Sequence, residues 1–86
     1  MNSATTITIE LYGQLKDTFA AQTIEHRLEP GVPTNVQQLY QALRAQQPNA
    51  PQQQQIRPII NDTFVEWDAG FQAGDVIGFL PPASGG

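Results

Sequence analysis

The run Val76-Ile77-Gly78-Phe79-Leu80 limits what this chain can fold into more than any other stretch. Adjacent residues of a strand point to opposite faces, so a strand apolar at nearly every position needs cover on both sides. That cover exists in the middle of a sheet. Gly74-Asp75 reads as a turn into the run, and Pro81-Pro82 ends it, because proline has no N–H to give to a ladder. The residues that remain, Ala83-Ser84-Gly85-Gly86, carry no bulky side chain that would anchor them again. The chain is therefore predicted to bury a central strand close to its carboxyl end and to finish in a flexible tail over residues 81–86.

The other residues must supply that strand's neighbours. A chain of 86 residues builds one core, since pieces of it would be too small to bury another, and residues 1–86 read as a single domain. Residues 1–5 read as a disordered N-terminus. Residues 6–12 alternate, with Ile7, Ile9 and Leu11 on one face, which predicts a half-buried first strand. Gly13 breaks it, and Leu15 and Phe19, four apart, predict one or two helical turns within residues 14–21. Residues 23–29 alternate again, with Ile24, His26 and Leu28 on one side, and should pair with the first strand as a hairpin.

Pro30-Gly31 punctuates the chain. Residues 34–47 then place Val36, Leu39, Tyr40 and Leu43 at the spacing of an amphipathic helix that packs on a sheet. Thr34 is the expected N-cap, with Gln37 completing a capping-box pattern and Pro48 stopping the far end. The Gln/Pro-rich residues 46–55 are polar and uncharged, which predicts a mobile, solvent-exposed surface loop. Residues 56–60 form a short apolar strand, and Pro58 within it argues for an edge or for the entry of a strand. Asn61-Asp62 turns, residues 63–67 resume as a strand, and Phe71 plugs the core. The expected fold is α+β: a mixed sheet of four to five strands with one main helix packed across it.

Composition removes many chemistries. Without cysteine there is no disulfide, thiol nucleophile or iron–sulfur cluster, and the single histidine, His26, has no partner for a metal site. Asp62, Asp68 and Asp75 fall at turn positions, where carboxylates bond nearby backbone amides. Tyr40 and Trp67 read as core or rim packing, and Lys16 as solvated. The chain is thus expected to bind no metal and to have no catalytic site of its own. Four basic residues stand singly against eight acidic ones, a net charge of -4 that repels phosphate backbones and argues against nucleic acid. No signal-peptide pattern begins the chain and no apolar run approaches the ~20 residues of a membrane span, so a cytoplasmic protein with no membrane association is expected.

Three stretches resemble the ubiquitin-like β-grasp sulfur carriers, and within them the small subunit of molybdopterin synthase. Ile60-Asn61-Asp62-Thr63 resembles that subunit's third-strand turn, and Ala73-Gly74-Asp75-Val76 its approach to the last strand. Phe79-Leu80-Pro81-Pro82-Ala83-Ser84-Gly85-Gly86 is similar to its terminal signature and is the specific part. Lys16-Asp17 stands where the family often has Arg-Glu, and the Gln-rich loop resembles an insertion.

The resemblance implies a β-grasp fold and a reactive carboxyl end. Gly86, backed by Gly85, would be adenylated with ATP by a ubiquitin-activating-like adenylyltransferase. It would then receive sulfur from a persulfide donor protein and hold it covalently as a thiocarboxylate, with no cofactor permanently bound. Sulfur delivery to a cyclic pterin precursor would follow inside the large subunit of molybdopterin synthase, in a hetero-oligomer in which this chain is a cosubstrate. Phe79, Leu80, Pro81, Pro82, Ala83 and Ser84 would contact partners. Phe79 and Leu80 must face opposite ways, so one belongs to the core and Leu80 is the favoured docking residue. A ubiquitin-like protein modifier, a sulfur carrier for thiamine synthesis or tRNA thiolation, and a plain interaction module with an idle tail stay open as alternatives.

Overall fold

Alternation at the start of the chain becomes β1 (Thr6–Leu11), with Ile7, Ile9 and Leu11 buried. The computed structural model describes residues 6–29 and 35–81, so the expectations for residues 1–5 and for Thr34 lie outside the described residues. After β1 come α1 (Gln14–Phe19), β2 (Thr23–Arg27), α2 (Val36–Gln46), a 3-10 turn (Gln53–Gln55), β3 (Arg57–Ile60), β4 (Thr63–Phe64) and β5 (Val76–Leu80). The five strands form one mixed sheet in the order β2-β1-β5-β3-β4. The all-apolar run is thus the middle strand. It lies parallel to β1, with Leu11 opposite Phe79, and antiparallel to β3, with Pro58 opposite Phe79.

One face of the sheet is closed by α2. Its Val36, Leu39, Tyr40 and Leu43 join Ile7, Ile9, Leu11, Ile77 and Phe79 in one buried cluster. At its centre three rings meet: Tyr40 and Phe79 with centroids 4.9 Å apart, Tyr40 and Trp67 5.7 Å, Trp67 and Phe79 6.1 Å. Such spacings give attraction beyond simple burial. Leu15 of α1 is fully buried, while Phe19 and Phe71 pack against the cluster from outside.

The helix begins one residue later than the expected Thr34 cap. Asn35 is extended, at φ -144° and ψ 171°, and its Oδ1 accepts the N–H of Gln38 at 2.9 Å. The two N–H groups before that one are taken by the segment after β4: Val36 donates to Ala69 O and Gln37 to Trp67 O, each at 3.0 Å. These are the donors an isolated first turn leaves unpaired. Tertiary partners satisfy them.

The Gln-rich loop is not wholly in solvent as expected. Ala50 is buried in the core cluster, the Tyr40 hydroxyl donates to Pro51 O at 2.6 Å, and Arg44 Nε donates to Ala50 O at 3.2 Å. A capping box between Gln52 and Gln55 organises the 3-10 turn that leads to buried Ile56. Uncharged side chains and prolines let this stretch lie on α2 without leaving a buried charge unpaired.

Of the two places expected for Pro58, an edge or a strand entry, the structure has the second: it is the second residue of β3, which lies between β5 and β4. Its carbonyl accepts the N–H of Val65 at 3.2 Å, on the flank of β4. A strand residue points its N and C=O to the same side. The missing N–H therefore faces the short neighbour, and β5 loses no bond. The strand expected over residues 63–67 pairs only at Thr63–Phe64, because Val65 and Trp67 turn towards the core. Among the described residues no helix is long and apolar enough to cross a membrane.

Candidate functional site at the root of the tail

The two stretches that resemble family turns, far apart in sequence, form one hydrogen-bonded unit. Asn61 and Asp62 have φ of 49° and 71°, a tight turn of left-handed residues that Asn and Asp tolerate well. Asn61 Nδ2 donates to Asp75 Oδ1 at 3.1 Å, and its Oδ1 accepts the N–H of Val76 at 3.0 Å. Asp75 Oδ2 also accepts the Gln72 N–H at 2.9 Å. The start of β5 is thereby clamped to the β3–β4 turn, and Asp75 does the turn chemistry expected of it.

At the other end of β5 the chain leaves the sheet. Phe79, counted on sequence among the partner-binding residues, is fully buried and serves as the anchor of that end. Leu80 is half-buried on the face that α2 does not cover, opposite Arg57 of β3. Pro81 is half-buried beside Gly13, where an added Cβ would stand 2.9 Å from Pro81 Cγ. Pro82, Ala83, Ser84, Gly85 and Gly86 lie outside the described residues.

The helix-free face around Leu80 has residues that sequence reasoning missed. Gly78 is buried because neighbours lean over it: an added Cβ would lie 2.8 Å from Ile59 Cγ1 and 3.1 Å from Tyr12 Cε2. Opposite Ile59 stands Phe64, 58% exposed, with the Arg57 guanidinium 4.7 Å from its ring centroid. Stacking of this kind holds an arginine in place while leaving its charge available. The Tyr12 hydroxyl donates to Glu10 Oε1 at 2.6 Å; that bond, then burial, then the charges of Glu10 and Asp62 push the phenol up to about 12. Lys16 lines a small cleft with Glu10, Tyr12, Gln22 and Thr23.

The result is an apolar strip, Tyr12–Gly78–Ile59–Phe64, ending at Leu80 and bordered by Glu10 and Arg57. One signal for it was legible: a glycine inside an apolar strand marks a close approach of other groups. Phe64 gave none, because its exposure follows from β4 stopping after two residues.

A carboxyl-terminal segment rooted in a central strand, beside an apolar strip on the open face of a five-stranded mixed sheet, invites comparison with known proteins. The model of the ThiS family matches residues 9–86, nearly the whole chain. The chain belongs to the ThiS family. Its fold is that of the ubiquitin-like β-grasp sulfur carriers. Among solved structures, it superposes on SAMP1, small archaeal modifier protein 1, of Haloferax volcanii with a TM-score of 0.74 and 19% identity, over 94% of this chain and 99% of that one. A putative molybdopterin converting factor subunit 1 from Pyrococcus furiosus gives a TM-score of 0.73 at 17% identity, over 93% and 100%. Subunits 1 and 2 of the molybdopterin-converting factor from Helicobacter pylori form a protein–protein complex, and the match there has a TM-score of 0.65 at 18% identity, over 94% and 99%. At these identities the likeness is one of fold. A search by sequence among curated proteins finds no match.

In this ThiS-family chain the anchor and the tail are separate parts. Phe79 fixes the end of β5 in the core, Leu80 faces the open side, and Pro81, which has no N–H for a ladder, lies beside Gly13.

Proposed function

We propose that this ThiS-family protein is the sulfur carrier of molybdopterin synthesis, working as the small subunit of the synthase. The observation that carries the reading is the terminal sequence Pro81-Pro82-Ala83-Ser84-Gly85-Gly86 following directly on a core-anchored central strand. The fold likeness to the converting-factor subunits supports it.

The chemistry follows from what the terminus is. An α-carboxyl with an ordinary pKa of ~3.3–3.7 is ionised at neutral pH, and a carboxylate is a poor electrophile. Its oxygen attacks the α-phosphorus of ATP on an adenylyltransferase, releasing pyrophosphate and leaving an acyl-adenylate on Gly86. A persulfide sulfur of a donor protein attacks the acyl carbon and AMP departs. A thiol of the donor system then cleaves the sulfur–sulfur bond, becoming a disulfide, and the thiocarboxylate remains. Inside the large subunit this sulfur attacks a carbon of the cyclic pterin precursor and displaces an oxygen substituent; water then hydrolyses the resulting thioester, leaving the sulfur on the pterin and Gly86 as a carboxylate again.

Glycine at the last two positions keeps the carbonyl unscreened, and Pro81-Pro82 lowers the entropy lost when the tail is threaded, since their φ angles are already set. Leu80, Tyr12, Ile59 and Phe64 are the contact surface for the large subunit and the adenylyltransferase, with Arg57 and Glu10 at its rim. An apolar centre with charged edges is the usual anatomy of such contacts.

Co-expression with a molybdopterin-branch adenylyltransferase and a persulfide donor is expected to give, by intact-mass spectrometry, a species in which one terminal oxygen has become sulfur. An unchanged mass in every such trial removes the reading. The likeness to a small archaeal modifier protein favours one second reading, in which a lysine amine rather than sulfur attacks the acyl-adenylate. A ladder of conjugates on immunoblots of the tagged protein, lost when Gly86 is deleted, would mark it.

A further inference from the structure

Gly13 stands where two requirements meet. Its backbone has φ 56° and ψ -134°, a conformation that residues with a Cβ rarely adopt. A strand-to-helix turn explains that much. The turn does not explain the second requirement, that a Cβ on Gly13 would lie 2.9 Å from Pro81 Cγ and 3.8 Å from its Cδ. Parallel pairing explains how the two come together. Leu11 lies opposite Phe79, and continuing both strands in register by two residues brings Gly13 opposite Pro81.

We propose that Gly13 is a positioning residue for the carboxyl-terminal tail: a seat without a Cβ against which the Pro81 ring rests, fixing the direction in which the chain leaves β5. Three successive residues then set the exit. Phe79 is locked among the core rings, Leu80 lies on the helix-free face, and Pro81, its φ held by its own ring, sits on Gly13. A methyl group at position 13 cannot be avoided by rotating a side chain, because a pyrrolidine ring only puckers. Either the backbone at position 13 or Pro81 must shift, and each changes how the end of β5 rests on the turn. A shift there changes the direction from which the chain continues beyond Pro81. Positioning of a reacting end is sensitive to such changes at its root.

The kinetic part of the test rests on the carrier reading, and its control is Gly74. That residue also has a positive φ, of 90°, but a Cβ there would meet nothing within 4 Å, and it lies at the opposite end of β5. Gly13→Ala and Gly74→Ala thus both put an ordinary residue into a glycine conformation, and only the first touches the tail. Both are expected to lower the thermal midpoint. Gly13→Ala alone is expected to raise the KM for the carrier in adenylyltransferase-driven ATP–pyrophosphate exchange, by roughly fivefold or more with kcat within about twofold. It alone should shift the amide resonances of Ala83 to Gly86 in nitrogen–proton spectra.

Equal KM for the two variants, or tail resonances in Gly13→Ala matching the wild type, overturns the seat. If no adenylyltransferase accepts the wild-type protein, the carrier reading fails and the resonances alone decide about Gly13. Should Gly13→Ala not fold, Pro81→Ala removes the contact from the other side. A KM and tail heteronuclear NOEs equal to the wild type in that variant overturn the proposal as well.

Discussion

Tyr12 shows how a single side chain at a strand end can shape a surface. Its ring leans over Gly78, and its hydroxyl bond to Glu10 holds the phenol at a pKa of about 12, above the ordinary 10.0. The folded state thus favours the neutral phenol. The stabilisation is complete below pH 10 and is lost as pH rises from 10 towards 12. Comparing thermal midpoints of wild type and Tyr12→Phe across that window should show the wild-type advantage shrinking with pH. Glu10→Gln removes the charge and weakens the bond, so the tyrosinate absorbance of Tyr12 should appear at lower pH than in the wild type. Gly78 poses the complementary case. In Gly78→Ala the new methyl meets Ile59 Cγ1 and Cδ1 and the Tyr12 ring, and because those side chains can rotate the expected cost is about 1–2 kcal/mol, measurable by urea unfolding. The same change should disturb the apolar strip next to Leu80.

Between elements, side chains tie segments that sequence spacing leaves unrelated. Asn61 is the firmest of these ties, since it supplies a left-handed residue to one turn and two side-chain bonds to the start of β5. Asn61→Ala loses both and is expected to cost about 2–3 kcal/mol; Asn61→Gly keeps the turn, loses the bonds, and should cost about 1 kcal/mol less. Denaturant midpoints of the pair separate the two contributions. The tie between α2 and the Gln-rich loop is weaker. Tyr40→Phe leaves the ring cluster intact but removes the donor to Pro51 O, for an expected ~1 kcal/mol, with faster hydrogen exchange at the Ala50 amide as the local readout. Burial is also what raises the Tyr40 phenol pKa, opposed in part by Arg44.

Over the whole molecule, the core anchor in β5 and the proposed reactive end lie on different residues of the sequence. Phe79→Ala removes one ring of three at the sheet centre and is expected to cost ~3–5 kcal/mol, a large part of the ~5–15 kcal/mol that holds a domain together. Deleting Gly86 is expected to leave the thermal midpoint within about 1 °C of the wild type and to abolish thiocarboxylate formation by intact mass, because the residue lies beyond the strand that ends at Leu80.

Sequence alone determined the elements whose signal is local and periodic. Alternation in β1 and β2, the Val36/Leu39/Tyr40/Leu43 stripe of α2 and the two-sided apolarity of β5 each follow from how side chains repeat along a backbone. The terminal signature was legible for the same reason, being a contiguous string. Only the tertiary structure decided what depends on neighbours remote in the chain. Asn35 caps α2 while Ala69 and Trp67 take the adjoining donors, and Pro58 sits inside the sheet because its bare nitrogen faces a two-residue strand. Ala50 is buried because Tyr40 and Arg44 reach for the loop's carbonyls. The tail belongs with them. Its residues could be read from the string, but its root was set by parallel pairing of the first and last strands, which lays Pro81 on Gly13, a contact no periodicity near either residue contains.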